Sequence, residues 1–490
     1  MPVEPEALGV GRALQPVEML VEVGNPFVGV ETHDFFEVGG RLHRPFIHGN
    51  APAGQPPVAL RGQSPLLNPW RMTMKKMLML AATVVMSSGA AAQSIPPKVQ
   101  ARIDRILKAT PLIDGHNDLP EQLRENYNLS VEGLASGTER RTPHPLMTDM
   151  ARLHAGRVGA QFWSVYIPSE VTGDAAIRET LEQIDAVKRL VKAYPNDLAL
   201  AGSADDIVRI HMTGRVASLI GVEGGHQIGG SLAALRAYYD LGARYMTLAH
   251  FKDNEFADSA TDDPKYGGLN DFGRTVVHEM NRIGMLVDLS HVSDDTMRDA
   301  LEVSRAPVIF SHSSARALDD HPRNVPDDIL RLTASNGGVV MVNFYSPYVS
   351  NAVRLWSADH AAEEARLKAL FPNDPVKRQS GITAWESAHP APLATVAQVA
   401  DHVEHIAKVT GYDHVGIGGD LDGIEIAPAG LGSVSGYPLL FAELIRRGWS
   451  DSNLAKLAGG NLLRVLRRAE AVSASMKNEP PSMATLDPAR

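Results

Sequence analysis

"FGRTVVHEMNRIGMLVDLSH", residues 272–291, contains the two patterns whose alternation sets the fold. Its first part is an amphipathic helical pattern, with Val276, Val277, Met280 and Ile283 falling on one face. Its second part, "MLVDL", is a short apolar run that stops at His291. A run of that length, next to a helix, reads as a buried strand.

The same unit recurs along the chain. "TPLID" leads into His116, and "GAQFWSVYIP" (159–168) is followed by a long helical pattern. "RVASLIGVEG" (215–224) closes on Glu223, "ARYMTLAH" (243–250) on His250 and "APVIFSH" (306–312) on His312. "GGVVMVNFY" (337–345) is the seventh run, and "DHVGIGGD" (413–420) is the eighth and ends at Asp420. Strands alternating with helices form right-handed crossover units on a parallel sheet. Eight such units predict an α/β fold, a (β/α)8 TIM barrel whose reactive groups stand at the C-terminal ends of the strands. An open doubly wound sheet would gather its ligands at one switch point. Here the polar endings are spread over the whole series, so the barrel is the better reading.

Those endings are His, Glu and Asp, and the chain has no cysteine, which excludes disulfides, thiolate nucleophiles and Cys-based zinc sites. In "PLIDGHNDLP" (111–120), His116 and Asp118 are two apart and share a face if the strand continues. They suit a metal ion such as zinc, or else a hydrogen-bonded turn after a strand. Six such residues at the ends of successive runs are hard to explain by capping alone. His144, His154, His278 and His321 fall in loops or on helix surfaces and keep the structural reading. His226, three residues after Glu223, remains open between the two. "GIGGDLDG" resembles a phosphate loop, but no "GK[ST]" follows, so nucleotide binding is rejected.

A formal charge of -10, with no Lys/Arg run, argues against nucleic acid as a partner. Residues 1–71, rich in Gly, Pro and Val without a sustained period, read as a non-native or disordered extension, with translation starting at Met72 or Met74. Residues 72–92 carry two lysines, a short apolar stretch and a closing "GAAA" before Gln93, the layout of a signal peptide. That layout places the protein in the periplasm or outside the cell if it is used, and in the cytoplasm otherwise. The catalytic barrel is expected over 93–473, with a disordered tail over 474–490. Between the seventh and eighth runs, a long insertion with one helical stretch would sit over the active-site face as a lid or decoration. The segment from Tyr437 reads as two helices split at Gly448, with Ser450 or Asp451 as N-cap.

The stretches "DGHNDLP", "GVEGGH", "RYMTLAH", "MLVDLSHVS", "PVIFSHSSARAL", "RNVPDD" and "HVGIGGDLDG" resemble the membrane (renal) dipeptidase family, the M19 metallopeptidases among the amidohydrolase-like barrels. The likeness runs through roughly residues 105 to 470, in the family's order. It implies two zinc ions per subunit, His116 and Asp118 on one, His291 and His312 on the other, and Glu223 bridging both. It further implies that His250 contacts the scissile carbonyl region, Arg323 the substrate carboxylate, and Asp420 the amine and the travelling proton. Asp422 is the second choice for that last role. The expected activity is hydrolysis of short dipeptides, L-Xaa-L-Yaa and L-Xaa-D-Yaa. The alternatives are an N-acyl amino acid deacylase or lactonase on the same barrel, or a binding protein that has lost its chemistry. The chain does not end in the apolar tail a lipid anchor needs, and a non-covalent homodimer is implied by the resemblance only.

Overall fold

In the computed structural model, which describes residues 95–486, nine parallel strands form one sheet and eight of them close a barrel. The eight are β1 (Leu112–Asn117), β2 (Val158–Tyr166), β4 (Val216–Glu223), β5 (Ala243–Thr247), β6 (Leu286–Asp288), β7 (Ile309–Phe310), β8 (Val339–Val342) and β9 (Val415–Ile417). Each pairs with the next, β9 pairs with β1, and β2 closes the ring by pairing with both β1 and β4. All eight predicted runs are therefore barrel strands. Nearly every residue in them is buried, as expected for strands covered on one face by helices and on the other by barrel filling.

The helix before β6 shows how local chemistry sets the units. Asp271–Ile283 starts at Asn270, whose side chain accepts from the Gly273 amide, and ends at Gly284 with φ 86°. Its buried face includes Val276, Val277 and Met280.

Three segments depart from the sequence reading. β3 (Leu198–Leu200) was not expected: three residues are too few to show a period, and they are held by pairing with the start of β4 and by Leu198 in the core. The insertion after β8 holds three helices rather than one, Ser346–Val349, Asn351–Leu370 and Pro375–Ala388. Asp374 caps the third through the Lys377 amide, and Gly381 lets Leu367 approach so closely that a Cβ there would lie 2.6 Å from its Cδ2. The two long helices bury only Val353, Leu367 and Ile382, so neither carries the apolar stripe that would have announced it.

The expectation of a disordered tail is corrected for 474–486. The helix Asn461–Ser475 runs past Ser473, and Met476 is buried. Arg236 donates to the Ser482 carbonyl, and the Leu486 amide to the Gly230 carbonyl. These polar anchors compensate for the segment's low hydrophobicity. Upstream, Tyr437–Arg446 and Asp451–Ala455 are split as expected, with Ser450 as the N-cap. A wide turn over Lys456–Gly460 then breaks the second helix where Gly459 packs against the Pro111 carbonyl. The expected extension and signal peptide lie outside the described residues.

Candidate active site

The strand ends converge as the barrel predicts. His116 and Asp118 come from the end of β1, Glu223 from β4, His250 just after β5, His291 after β6, His312 after β7 and Asp420 after β9. All but Asp420 are nearly or fully buried.

Glu223 is central. Its Oε2 lies 3.4 Å from His116 Nε2, and its Oε1 lies 3.1 Å from His291 Nε2, 3.4 Å from His250 Nε2 and 3.5 Å from His312 Nε2. Ser164, on β2, donates to Oε2 at 2.9 Å and fixes the carboxylate plane. His116 Nε2 also faces Asp118 Oδ2 at 3.3 Å and Asp420 Oδ1 at 4.0 Å. The Nε2 atoms of His291 and His312 approach to 2.8 Å.

Three overlapping triads could each hold a metal ion: His116–Glu223–His312, Glu223–His250–His291 and His116–Asp118–Asp420. The ligand groups do not fall into two clean pairs, because His312 sits beside His116, with ring centroids 3.8 Å apart, as well as beside His291.

The donors fit a cation. His116 Nε2 and Asp118 Oδ1 are buried without a hydrogen-bond partner. Burial opposes a charge on His116, yet Tyr245, Glu223 and Asp118 push its pKa well above the ordinary value: this corner calls for positive charge. Burial also works against ionised Glu223, but His116 and His250 hold its carboxyl well below the usual range. Burial, with Arg323 and His250 nearby, keeps His291 neutral, and burial with His116 and His291 does the same for His312. Neutral imidazoles and an ionised carboxylate are what a divalent metal takes.

Asp420 and Asp422 are separated by the fold. Both have left-handed backbone, φ 58° and 69°. Asp420 points to the cluster, where Asn343 donates to its Oδ2 at 2.9 Å. Burial and Asp118 push its carboxyl well above the usual range. Asp422 turns away to accept from the Met147 amide at 2.6 Å, and burial raises its pKa to about 6.

A cleft of about 250 Å³ opens above the cluster. Its lining is partly acidic, from Asp118, Glu121, Asp420 and Glu425, and partly aromatic, from Tyr166, Phe251, Tyr345 and Tyr348. Behind Tyr348 lies Arg323, 1% exposed, its guanidinium 5.4 Å from that ring. It donates to Ser313 Oγ at 3.3 Å and the His312 carbonyl at 3.2 Å, and its Nε has no partner.

His226 is not among the triads: it is buried and held neutral, with its pKa lowered to about 4 by burial and by His250. His154 pairs with Asp197 and His278 with Glu479, both outside the cleft. Sequence reasoning missed Tyr166 at the end of β2, Tyr348 in the short helix after β8, and Tyr345 and Glu425 in the loops beside them. It also missed the polar residues inside the barrel, although Asp288 within "MLVDL" is a visible exception to an apolar run.

The model of the membrane dipeptidase family, peptidase family M19, matches residues 100–480. The chain belongs to that family. It is therefore a metal-dependent dipeptidase. Among its relatives, an uncharacterized dipeptidase of Schizosaccharomyces pombe is 44% identical over 395 residues, spanning 77% of this chain and 85% of that protein. The dipeptidase tcpJ of Claviceps purpurea is 42% identical over 373 residues, 74% of this chain and 78% of that one. Among solved structures, the probable dipeptidase PvdM from Pseudomonas aeruginosa superposes with a TM-score of 0.65 at 25% identity, covering 77% of this dipeptidase and all of that chain. No helix among the described residues of the dipeptidase is long and apolar enough to cross a membrane.

Proposed function

We propose that the working enzyme carries two zinc ions and cleaves short dipeptides with both termini free, L-Xaa-L-Yaa and L-Xaa-D-Yaa. The observation that carries this reading is Glu223, whose two oxygens face separate imidazole groups, His116 on one side and His291 with His250 on the other. In this reading His116 and Asp118 hold one ion, His291 and His312 the other, and Glu223 both. Imidazole and carboxylate donors without thiolate suit zinc. When bound, the cations supply an acidified water and a Lewis-acid contact for the peptide carbonyl.

The chain's own groups do the rest. Asp420, oriented by Asn343, takes the proton released in the attack and gives it to the departing amine nitrogen. His250, wedged among Tyr166, Phe251 and His291, donates to the developing oxyanion. With Tyr348 turned aside, Arg323 offers its fork to the C-terminal carboxylate, which supports short substrates because that guanidinium is tied to the His312 carbonyl beside the cluster. The acidic groups of the cleft favour a free ammonium at the other end.

The test is a panel of L-Ala-L-Ala and L-Ala-D-Ala with their N-acetylated and C-amidated forms, using zinc-supplemented protein. Cleavage confined to the free dipeptides is expected. Preference for the N-acetylated forms would replace this reading with a deacylase.

A further inference from the structure

Two of the histidines proposed as ligands are each held from behind by a buried hydroxyl, and neither hydroxyl belongs to the cluster. The Tyr245 hydroxyl lies 2.8 Å from His116 Nδ1 and 3.2 Å from the Gly115 carbonyl. The carbonyl can only accept; with the phenolic proton on Gly115, His116 Nδ1 donates to the phenol. On the other side, Ser311 Oγ lies 2.8 Å from His312 Nδ1 and 2.6 Å from Asp288 Oδ2. The carboxylate accepts the serine proton, and His312 Nδ1 must then donate to Ser311.

Asp288 is fully buried, and its oxygens are filled by donors: Thr247 Oγ1 at 2.6 Å, the Ser311 amide at 2.8 Å and the Ser290 amide at 3.1 Å. Tyr245 and Thr247 are two apart on β5 and both fully buried, so a single strand braces both sides of the site. Tyr245 reaches His116 by passing over Gly221 on β4, where a Cβ would sit 2.0 Å from the tyrosine Cζ.

We propose that Tyr245 and the Ser311–Asp288 pair are positioning residues that lock His116 and His312 as Nδ1–H tautomers, so that both Nε2 lone pairs face the metal site. Outer partners of this kind set ligand orientation and basicity. The inference rests on reading His116 and His312 as ligands.

The experiment compares Zn2+ affinity, by chelator competition, and the visible spectrum of the Co2+-loaded protein across a set of variants of the full chain. Tyr245→Phe and Ser311→Ala each remove one hydroxyl and are expected to weaken Zn2+ binding about ten- to hundredfold and shift the Co2+ bands. Asp288→Asn is expected to lose at least as much, because its amide would donate to Ser311 and turn the serine proton onto His312 Nδ1. Thr247→Val removes a hydroxyl from the same carboxylate without touching a histidine, and should stay within about threefold of the parent. Thermal unfolding of each metal-free variant checks that it is folded, and Tyr245→Phe, the smallest change, decides if others are not.

Affinities within threefold of the parent for both Tyr245→Phe and Ser311→Ala overturn the inference, as does an equal loss in Thr247→Val. His116→Ala and His312→Ala separate the two levels. If these bind Zn2+ like the parent, the ligand reading itself fails. If they lose it while the hydroxyl variants do not, only the positioning inference fails.

Discussion

At the mouth of the barrel, side chains from six strand ends meet, the Glu223 carboxylate among them, and the polar groups beneath them are almost all tied to each other. In the hairpin Asn351–Leu370/Pro375–Ala388, three side chains are buried, while Leu355, Leu370 and Val376 face water. The first region tolerates little change because each donor has one place to point. The second is held at a few points, such as Arg354 against Asp319 at 2.9 Å, and can vary without moving the cluster.

The largest effect should come from the centre of that contrast. Glu223→Gln keeps the volume of the side chain but removes the shared charge, and kcat/KM should fall roughly a thousandfold or more. Exhaustive chelation of the parent should do the same, with activity restored by zinc. A variant that keeps a tenth of the activity would mean that Glu223 is not the hub.

Arg323→Lys sharpens the picture at the edge of the site. Loss of the planar fork should raise KM about ten- to hundredfold for free dipeptides while kcat changes much less. A fall in kcat with KM unchanged would assign Arg323 to packing instead.

A third prediction concerns the seam between barrel and hairpin. His402, 1% exposed, accepts from the Ala315 amide and donates to the Val349 carbonyl, and burial lowers its pKa to about 4. The unfolded chain takes up a proton near pH 6.5, the folded one only near 4, so its contribution is complete above 6.5 and lost as pH falls towards 4. The loss is on the order of 3 kcal/mol. Urea titrations of the parent and His402→Gln across that range should show a steeper pH slope in the parent. Parallel slopes would remove His402 from the account.

The smallest effect is expected in the hairpin. Leu355→Ser and Leu370→Ser should change stability by no more than about 0.5 kcal/mol and leave kcat/KM unaltered. A tenfold loss of activity from either would make the hairpin part of the working site and erase the comparison.

The barrel could be read from the chain because its strands are short apolar runs that end in ionisable residues. The strand-end residues also appeared in the sequence by position, since a barrel fixes where its reactive face lies. What escaped has physical reasons. β3 is three residues long and depends on β4 for its conformation. The hairpin helices have no apolar stripe to reveal them, and the tail docks through a few hydrogen bonds and the isolated apolar side chains Met476 and Leu486, too few to show a period. Asp420 and Asp422 have the same residue type and similar backbone, and only the placement of Met147 and Asn343 tells them apart. Tyr245, Ser311 and Asp288 act through contacts between strands, which a linear reading does not display.

Gly221 shows what this means for anyone altering the enzyme. It bears no functional group and does not line the cleft, yet the space above it is the corridor through which Tyr245 crosses. In a saturation scan scored for activity, this position should be as intolerant as a ligand, with alanine already harmful. A library that spares only the chemically reactive residues would discard most of its members at a site where the chain contributes nothing but room.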